Sequence, residues 1–172
     1  MNKITLILGG ARSGKSGFAV NLAKESGAKT AFIATCMRLD KEMKERVALH
    51  KKSRPTGWKT FECGEDILEI LKKLDSKFDV ILIDCLTLFI SSLLLKGLRE
   101  SSIEKKIGDI LAALKKINAR TIIVSNEVGL GIVPANKLAR NFRDIAGRIN
   151  QSVAGSADEV FFMVSGIPWK VK

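Results

Sequence analysis

The sequence predicts an α/β fold of the P-loop NTPase-like, doubly wound kind: a mostly parallel sheet with helices on both faces. Three observations carry that expectation. Short, continuously apolar runs such as Val80-Ile81-Leu82-Ile83 alternate with longer amphipathic stretches, the pattern of strands buried on both faces and joined by crossover helices. A glycine-rich phosphate-loop motif lies where the first apolar run meets the first amphipathic stretch. With 172 residues, 46% of them hydrophobic and 27% charged, the chain has the composition of one globular domain spanning 1–172, and disorder throughout is excluded.

The elements follow in order. Residues 4–8 read as the first strand and 15–26 as a helix capped by Gly27. Residues 30–35 form a second strand, and Asp40 caps a helix to about Lys52, stopped by Pro55. A further helix covers 65–74, and 79–84 is a buried strand closed by a carboxylate. Residues 86–95 and 102–117 read as helices, 121–124 as a strand and 125–136 as a glycine-containing loop. The long helix 137–154 carries an apolar stripe of Leu138, Phe142, Ile145, Ile149 and Val153, spaced by threes and fours. Residues 159–164 and 168–171 supply the last strands.

The formal charge of +11, from 29 Lys and Arg against 18 Asp and Glu, predicts attraction to phosphates, nucleic acid or anionic membrane. The basic residues are dispersed, no aromatics interleave them and tyrosine is absent, which argues against a nucleic-acid groove. No run approaches the ~18 apolar residues of a membrane span. The first apolar stretch runs into glycines and not into a cleavage site. The three cysteines, Cys36, Cys63 and Cys85, fit neither a disulfide framework nor a zinc site. A cytoplasmic protein is expected.

The strongest local signal is Gly9-Gly10-Ala11-Arg12-Ser13-Gly14-Lys15-Ser16, which satisfies G-x-x-x-x-G-K-[ST] in a strand–loop–helix setting. Its glycines let backbone N–H groups converge on phosphate oxygens beside a helix N-terminus. Lys15 is placed to reach the β- and γ-phosphates, and Ser16 to bind Mg²⁺; the bland alternative is a chance glycine turn. Asp84 closes a strand at the ligand edge of a parallel sheet and can hold Mg²⁺, or else it caps the following helix. The guanine-reading and switch motifs of a signalling GTPase are incomplete at Asn136-Lys137-Leu138-Ala139 and Asp84-Cys85-Leu86-Thr87. His50 is the only histidine, close to Lys51, Lys52 and Arg54. Neighbouring cations disfavour imidazolium, and the neutral ring can attack phosphorus. The alternative is an ordinary surface or partly buried histidine.

These residues, taken together, resemble the bifunctional adenosylcobinamide kinase/adenosylcobinamide-phosphate guanylyltransferase family of cobalamin synthesis. The likeness runs through the phosphate loop, Ile33-Ala34-Thr35, the block from Asp40 to Glu62 around His50, and Asp84-Cys85-Leu86-Thr87-Leu88. It continues through Ser125-Asn126-Glu127-Val128-Gly129, Arg143-Asp144-Ile145-Ala146-Gly147-Arg148 and Ala157-Asp158-Glu159-Val160. The resemblance implies a two-step enzyme. ATP or GTP first phosphorylates adenosylcobinamide; GTP then guanylylates the histidine, here His50, and the phosphorylated cobinamide takes the GMP. It also implies nucleotide contacts from Gly9 through Ser16, from Ile33, Ala34 and Thr35, from Lys51, Lys52, Ser53 and Arg54, and from Glu62 and Asp84. A homo-oligomer, plausibly a trimer, is implied as well. Without the resemblance, Glu62 reads as a solvated strand-end carboxylate. Gly129, Gly131 and Pro134 read equally as turn-formers or as part of a site where Glu127 touches metal or cobinamide. Arg140, Arg143, Asp144 and Arg148 form either a solvated face or a contact surface. Two competing functions stay open: a P-loop kinase of another small alcohol or nucleotide, and an ATP-dependent nucleic-acid binder.

Overall fold

The computed structural model describes residues 3–27, 29–35, 54–62, 66–74 and 77–172. Their elements are β1 (Lys3–Gly9), α1 (Lys15–Ser26), β2 (Thr30–Ala34), β3 (Lys59–Glu62), α2 (Ile67–Lys73) and β4 (Val80–Asp84). There follow α3 (Leu86–Leu95), α4 (Glu100–Leu114), β5 (Arg120–Val124), α5 (Lys137–Ser156), β6 (Glu159–Val164) and β7 (Ile167–Lys170). The strands make one seven-stranded sheet in the order β3-β2-β4-β5-β1-β6-β7. All pairings are parallel except β6 with β7, which closes as an antiparallel hairpin. Its two-residue turn has both central residues at positive φ, Ser165 at 52° and Gly166 at 87°, the backbone twist that suits a tight hairpin.

Alternation within the strands separates two cores. Ile81 and Ile83 of β4 face a large cluster with Ile67, Phe89, Ile90, Ile103, Ile107 and Ile149, contributed by α2 to α5. Val80 and Leu82 face the other side with Ala19, Ala23, Phe32 and Ile122, under α1. Helices therefore cover both faces, as expected of apolar parallel strands. Each such fully buried aliphatic side chain contributes about 1.5–3 kcal/mol.

The boundaries differ from expectation in instructive places. β3 is absent from the elements expected in order, although Glu62 read as a strand-end carboxylate; among the described residues it pairs with β2 alone, and three of its four residues are exposed. α2 begins at Ile67, because Asp66 caps it by accepting from the Glu69 amide at 3.3 Å. α4 runs from Glu100 to Leu114 and not over 102–117, and β7 ends at Lys170. Leu138 does not belong to the apolar stripe of α5: it is 49% exposed, and the helix meets the core only from Phe142 onward. Gly27 does end α1, in extended and not left-handed geometry, and a side chain there would strike Asp79. The helix expected over 40–52 lies outside the described residues.

The start of β1 is locked to the start of β6. The Ile4 amide donates to Asp158 Oδ2 at 2.7 Å, and the Asp158 amide donates back to the Ile4 carbonyl at 2.8 Å. Glu159 then gathers Lys170 at 2.7 Å, Lys3 at 3.0 Å and Arg120 at 3.2 Å. The hydrogen bond from Lys170, reinforced by Lys3, lowers its carboxyl from 4.5 to about 2. A depressed carboxylate stabilises the fold above its unfolded pKa and loses that contribution as the pH falls through the folded one. Thermal melts between pH 4.5 and 2 are therefore expected to show a falling Tm that Glu159→Gln flattens; parallel Tm curves for the two proteins would refute the coupling.

Candidate active site

The parallel register aligns the carboxyl ends of the strands, where ligands bind in open α/β sheets. Glu62 pairs with Ala34, Ala34 with Asp84, and Asp84 with Val124, so one row crosses β3, β2, β4 and β5. Ile7 of β1 pairs with Val124, and the chain turns into the phosphate loop two residues further on.

That loop is built by backbone restrictions. Gly9 has φ 149°, and a Cβ there would lie 2.7 Å from both the Met163 carbonyl and Ser13 Oγ. Gly14 begins α1 at φ 95°, with no side-chain cap and no acidic residue in the first turn. Arg12 is also held at positive φ, 55°, a conformation that costs a non-glycine residue of order 1 kcal/mol and concentrates at ligand clamps. The turn is fastened on both sides: the Gly166 amide donates to the Ser13 carbonyl at 3.0 Å, and the Glu127 amide to the Gly9 carbonyl at 3.0 Å. The result is an uncapped helix N-terminus behind a rigid glycine loop, a geometry suited to anionic phosphates.

Lys15 is only 7% exposed and folds back across the loop, its Nζ donating to the Gly10 carbonyl at 2.5 Å and to Ser13 Oγ at 3.4 Å. Burial lowers its pKa, while Cys85 and Asp84 pull the other way. Cys85 itself is a buried thiol, pushed up to about 12 by desolvation. Asp84 does not cap α3, since Cys85 holds that position. Asp84 also acts on Arg54, whose pKa burial lowers against the pull of Asp84 and Glu62. The Arg54 guanidinium lies 3.8 Å over the Phe32 ring, which stacks on Trp58 with centroids 6.4 Å apart. The Asp84 charge thus acts on both Lys15 and Arg54, and the Glu62 charge acts on Arg54.

Ile33, Ala34 and Thr35 reach the same edge with buried side chains. The Thr35 hydroxyl donates to the Cys85 carbonyl at 2.6 Å and its amide to the Asp84 carbonyl at 3.2 Å, which ties β2 to β4 where Asp84 emerges. His50, Lys51, Lys52 and Ser53 lie outside the described residues, as do Cys36 and Cys63. Among the described residues no cluster of three His, Cys, Asp or Glu side chains is arranged to hold a metal. Ser16 at the start of α1 and Asp84 at the end of β4 offer a hydroxyl and a carboxylate oxygen. These are hard donors of the kind Mg²⁺ takes when nucleotide phosphates complete its shell.

One feature was missed at sequence level. Beyond β5, Ser125 and Thr87 are buried with their hydroxyls 3.1 Å apart; Ser125 Oγ donates to Asn150 Oδ1 at 2.8 Å. Asn150 Nδ2 donates to the Asn126 carbonyl at 3.1 Å, and the Asn126 amide donates to Thr87 Oγ1 at 2.6 Å. This closed network fixes the loop after β5 to α3 and α5. The available signal was a polar residue, Asn150, set among Ala146, Ile149 and Val153 on the buried side of a helix. The arginines of α5 have local partners: Arg140 donates to the Pro134 carbonyl at 2.9 Å, Arg143 pairs with Asp144 at 3.2 Å, and Arg148 pairs with Glu100.

The fold and the phosphate loop define a P-loop α/β protein built to use nucleoside triphosphates. Solved structures agree on the fold: the RadB recombinase superposes with a TM-score of 0.54 at 14% identity, over 94% of this chain and 74% of that one. A KaiC-like protein of Pyrococcus horikoshii gives 0.52 at 16% identity, over 94% and 70%. The chain belongs to the cobinamide kinase/cobinamide phosphate guanyltransferase family (CobU), whose family model matches residues 5–171. It is 41% identical to the bifunctional adenosylcobalamin biosynthesis protein CobU of Salmonella typhimurium, over 97% of this chain and 98% of that protein. It is 40% identical to its counterpart CobP of Pseudomonas aeruginosa, over 97% and 96%. This is accordingly a transferase of cobalamin biosynthesis, with kinase and guanylyltransferase activities. Among the described residues, no helix is long and apolar enough to cross a membrane.

Proposed function

We propose that the kinase and guanylyltransferase steps share the one nucleotide site at the carboxyl edge of the sheet, and that His50 divides the second step in two. The observation that supports this reading is the strand-end row carrying Glu62 and Asp84 next to the phosphate loop, with Lys15 of that loop and Arg54 both in the field of Asp84. In the kinase step the adenosylcobinamide hydroxyl oxygen bonds to the γ-phosphorus of ATP or GTP, the bond from that phosphorus to the β-phosphate oxygen breaks, and ADP or GDP leaves as the hydroxyl gives up its proton. The loop from Gly9 to Ser16 cradles the phosphates, and Lys15 meets charge that grows on the transferring oxygens. Ser16 and Asp84 hold Mg²⁺, which neutralises phosphate charge when bound. In the second step neutral His50 attacks the α-phosphorus of GTP, forming an N–P bond and breaking the Pα–O bond to pyrophosphate. Adenosylcobinamide phosphate then displaces the imidazole and leaves as adenosylcobinamide-GDP. Lys51, Lys52, Ser53 and Arg54 receive nucleotide phosphates, Glu62 contacts the guanine or ribose, and the chain works as a cytoplasmic homo-oligomer without nucleic acid.

The test omits cobinamide. The protein is incubated with Mg²⁺ and GTP labelled at either the α- or the γ-phosphorus, then denatured. Only α-label should remain on the chain, on His50, and the phosphoramidate should break in acid and survive base. Absence of α-label on folded protein would remove the covalent histidine and leave a plain kinase.

A further inference from the structure

The loop between β5 and α5, bonded at its start to the phosphate loop, exposes large apolar side chains. Leu130 is 81% exposed, Ile132 97% and Val133 61%. Isolated exposed apolar residues are ordinary; a run of them on a fastened loop is not. This loop is fastened at both ends. At its start the Asn126 backbone is bound to Thr87 and Asn150, and the Glu127 amide to Gly9 of the phosphate loop. At its finish the Arg140 guanidinium holds the carbonyls of Pro134 at 2.9 Å and Ala135 at 2.5 Å, and Asn136 caps α5. Leu130 and Ile132 lie within five residues of Glu127, so at ~3.3–3.6 Å per residue they cannot lie far from the phosphate loop.

Resting on the proposed shared site, we infer that Leu130, Ile132 and Val133 form an apolar ledge that receives one face of the corrin ring of the acceptor. A corrin is a broad, flat macrocycle with apolar faces and amides at its rim. It is too large to enter the phosphate loop, so it must rest outside while its aminopropanol arm extends to the reacting phosphorus. A ledge on a segment anchored to that loop through Glu127 sets the ring at arm's length, and a segment tied at both ends lowers the ordering cost on binding. The rim amides stay in water, and the apolar face covers side chains that water now surrounds.

The test replaces Ile132 with serine in the full chain, with Leu130→Ser as a second variant and Ile132→Leu as the conservative one. The expected result is a KM for adenosylcobinamide raised about tenfold or more by each serine. Ile132→Leu should restore it, while the KM for GTP and the α-label on the chain stay as in the parent. An unchanged KM for adenosylcobinamide would overturn the ledge. So would loss of assembly on sedimentation with both KM values intact, which would make the loop a contact between copies. Failure of the shared-site reading looks different: the parent protein itself would carry no α-label.

Discussion

Lys15→Ala is expected to lower phosphoryl transfer by on the order of 10²–10³, the usual effect of removing one donor aimed at transition-state charge. The side chain is buried and, among the described residues, hydrogen-bonded to Gly10 and Ser13 of its own loop, so its loss should leave both cores untouched. Steady-state kinase assays with adenosylcobinamide, beside a thermal melt, separate the two effects. Near-normal turnover in a folded variant would mean that the glycine loop does not hold the reacting phosphates. A collapsed melt would assign Lys15 to stability and not to chemistry.

The second large effect is selective. His50→Asn should keep kinase turnover within a few-fold of the parent, because phosphorylating the arm needs no covalent histidine. Guanylyl transfer should fall by ~10³ or more, as removal of a nucleophile does elsewhere. The measurement is product analysis with adenosylcobinamide: the phosphate should accumulate and the GDP derivative should not. Equal loss of both steps in a folded protein would make His50 a nucleotide-positioning residue.

Much of this architecture was readable before any coordinates. The first helix, from Lys15 to Ser26, and the helix from Leu86 to Leu95 fall on the expected residues, because glycines or a strand-ending carboxylate punctuate them. β3 was legible only at its last residue, Glu62, because a short strand with exposed side chains carries no hydrophobic period; its pairing to β2 exists only in three dimensions. Leu138 misled because spacing alone cannot say where a helix begins to overlie the sheet. At the site, the phosphate-loop motif singles out Lys15 and Ser16, and the strand-end position singles out Asp84. The Phe32–Arg54 stack and the Thr87–Ser125–Asn150 network join distant segments, and no local rule reports such meetings. The α5 arginines show the converse: a charged face legible as a whole dissolves into separate local pairs.

The position of β1 in the sheet has a consequence for how the protein is made. This strand precedes every other strand of the sheet in the chain, yet its neighbours are β5 on one side and β6 on the other, and the Ile4–Asp158 bond joins residues 154 apart. The turn that braces Ser13, through Gly166, lies later still. During synthesis the nucleotide-binding motif is therefore translated well before the strands and the turn that surround it. Its sheet contacts are of the long-range kind that form slowly. A growing chain leaves both edges of β1 open until β5 arrives and one edge open until β6 follows, and the brace on Ser13 comes only with the turn after β6.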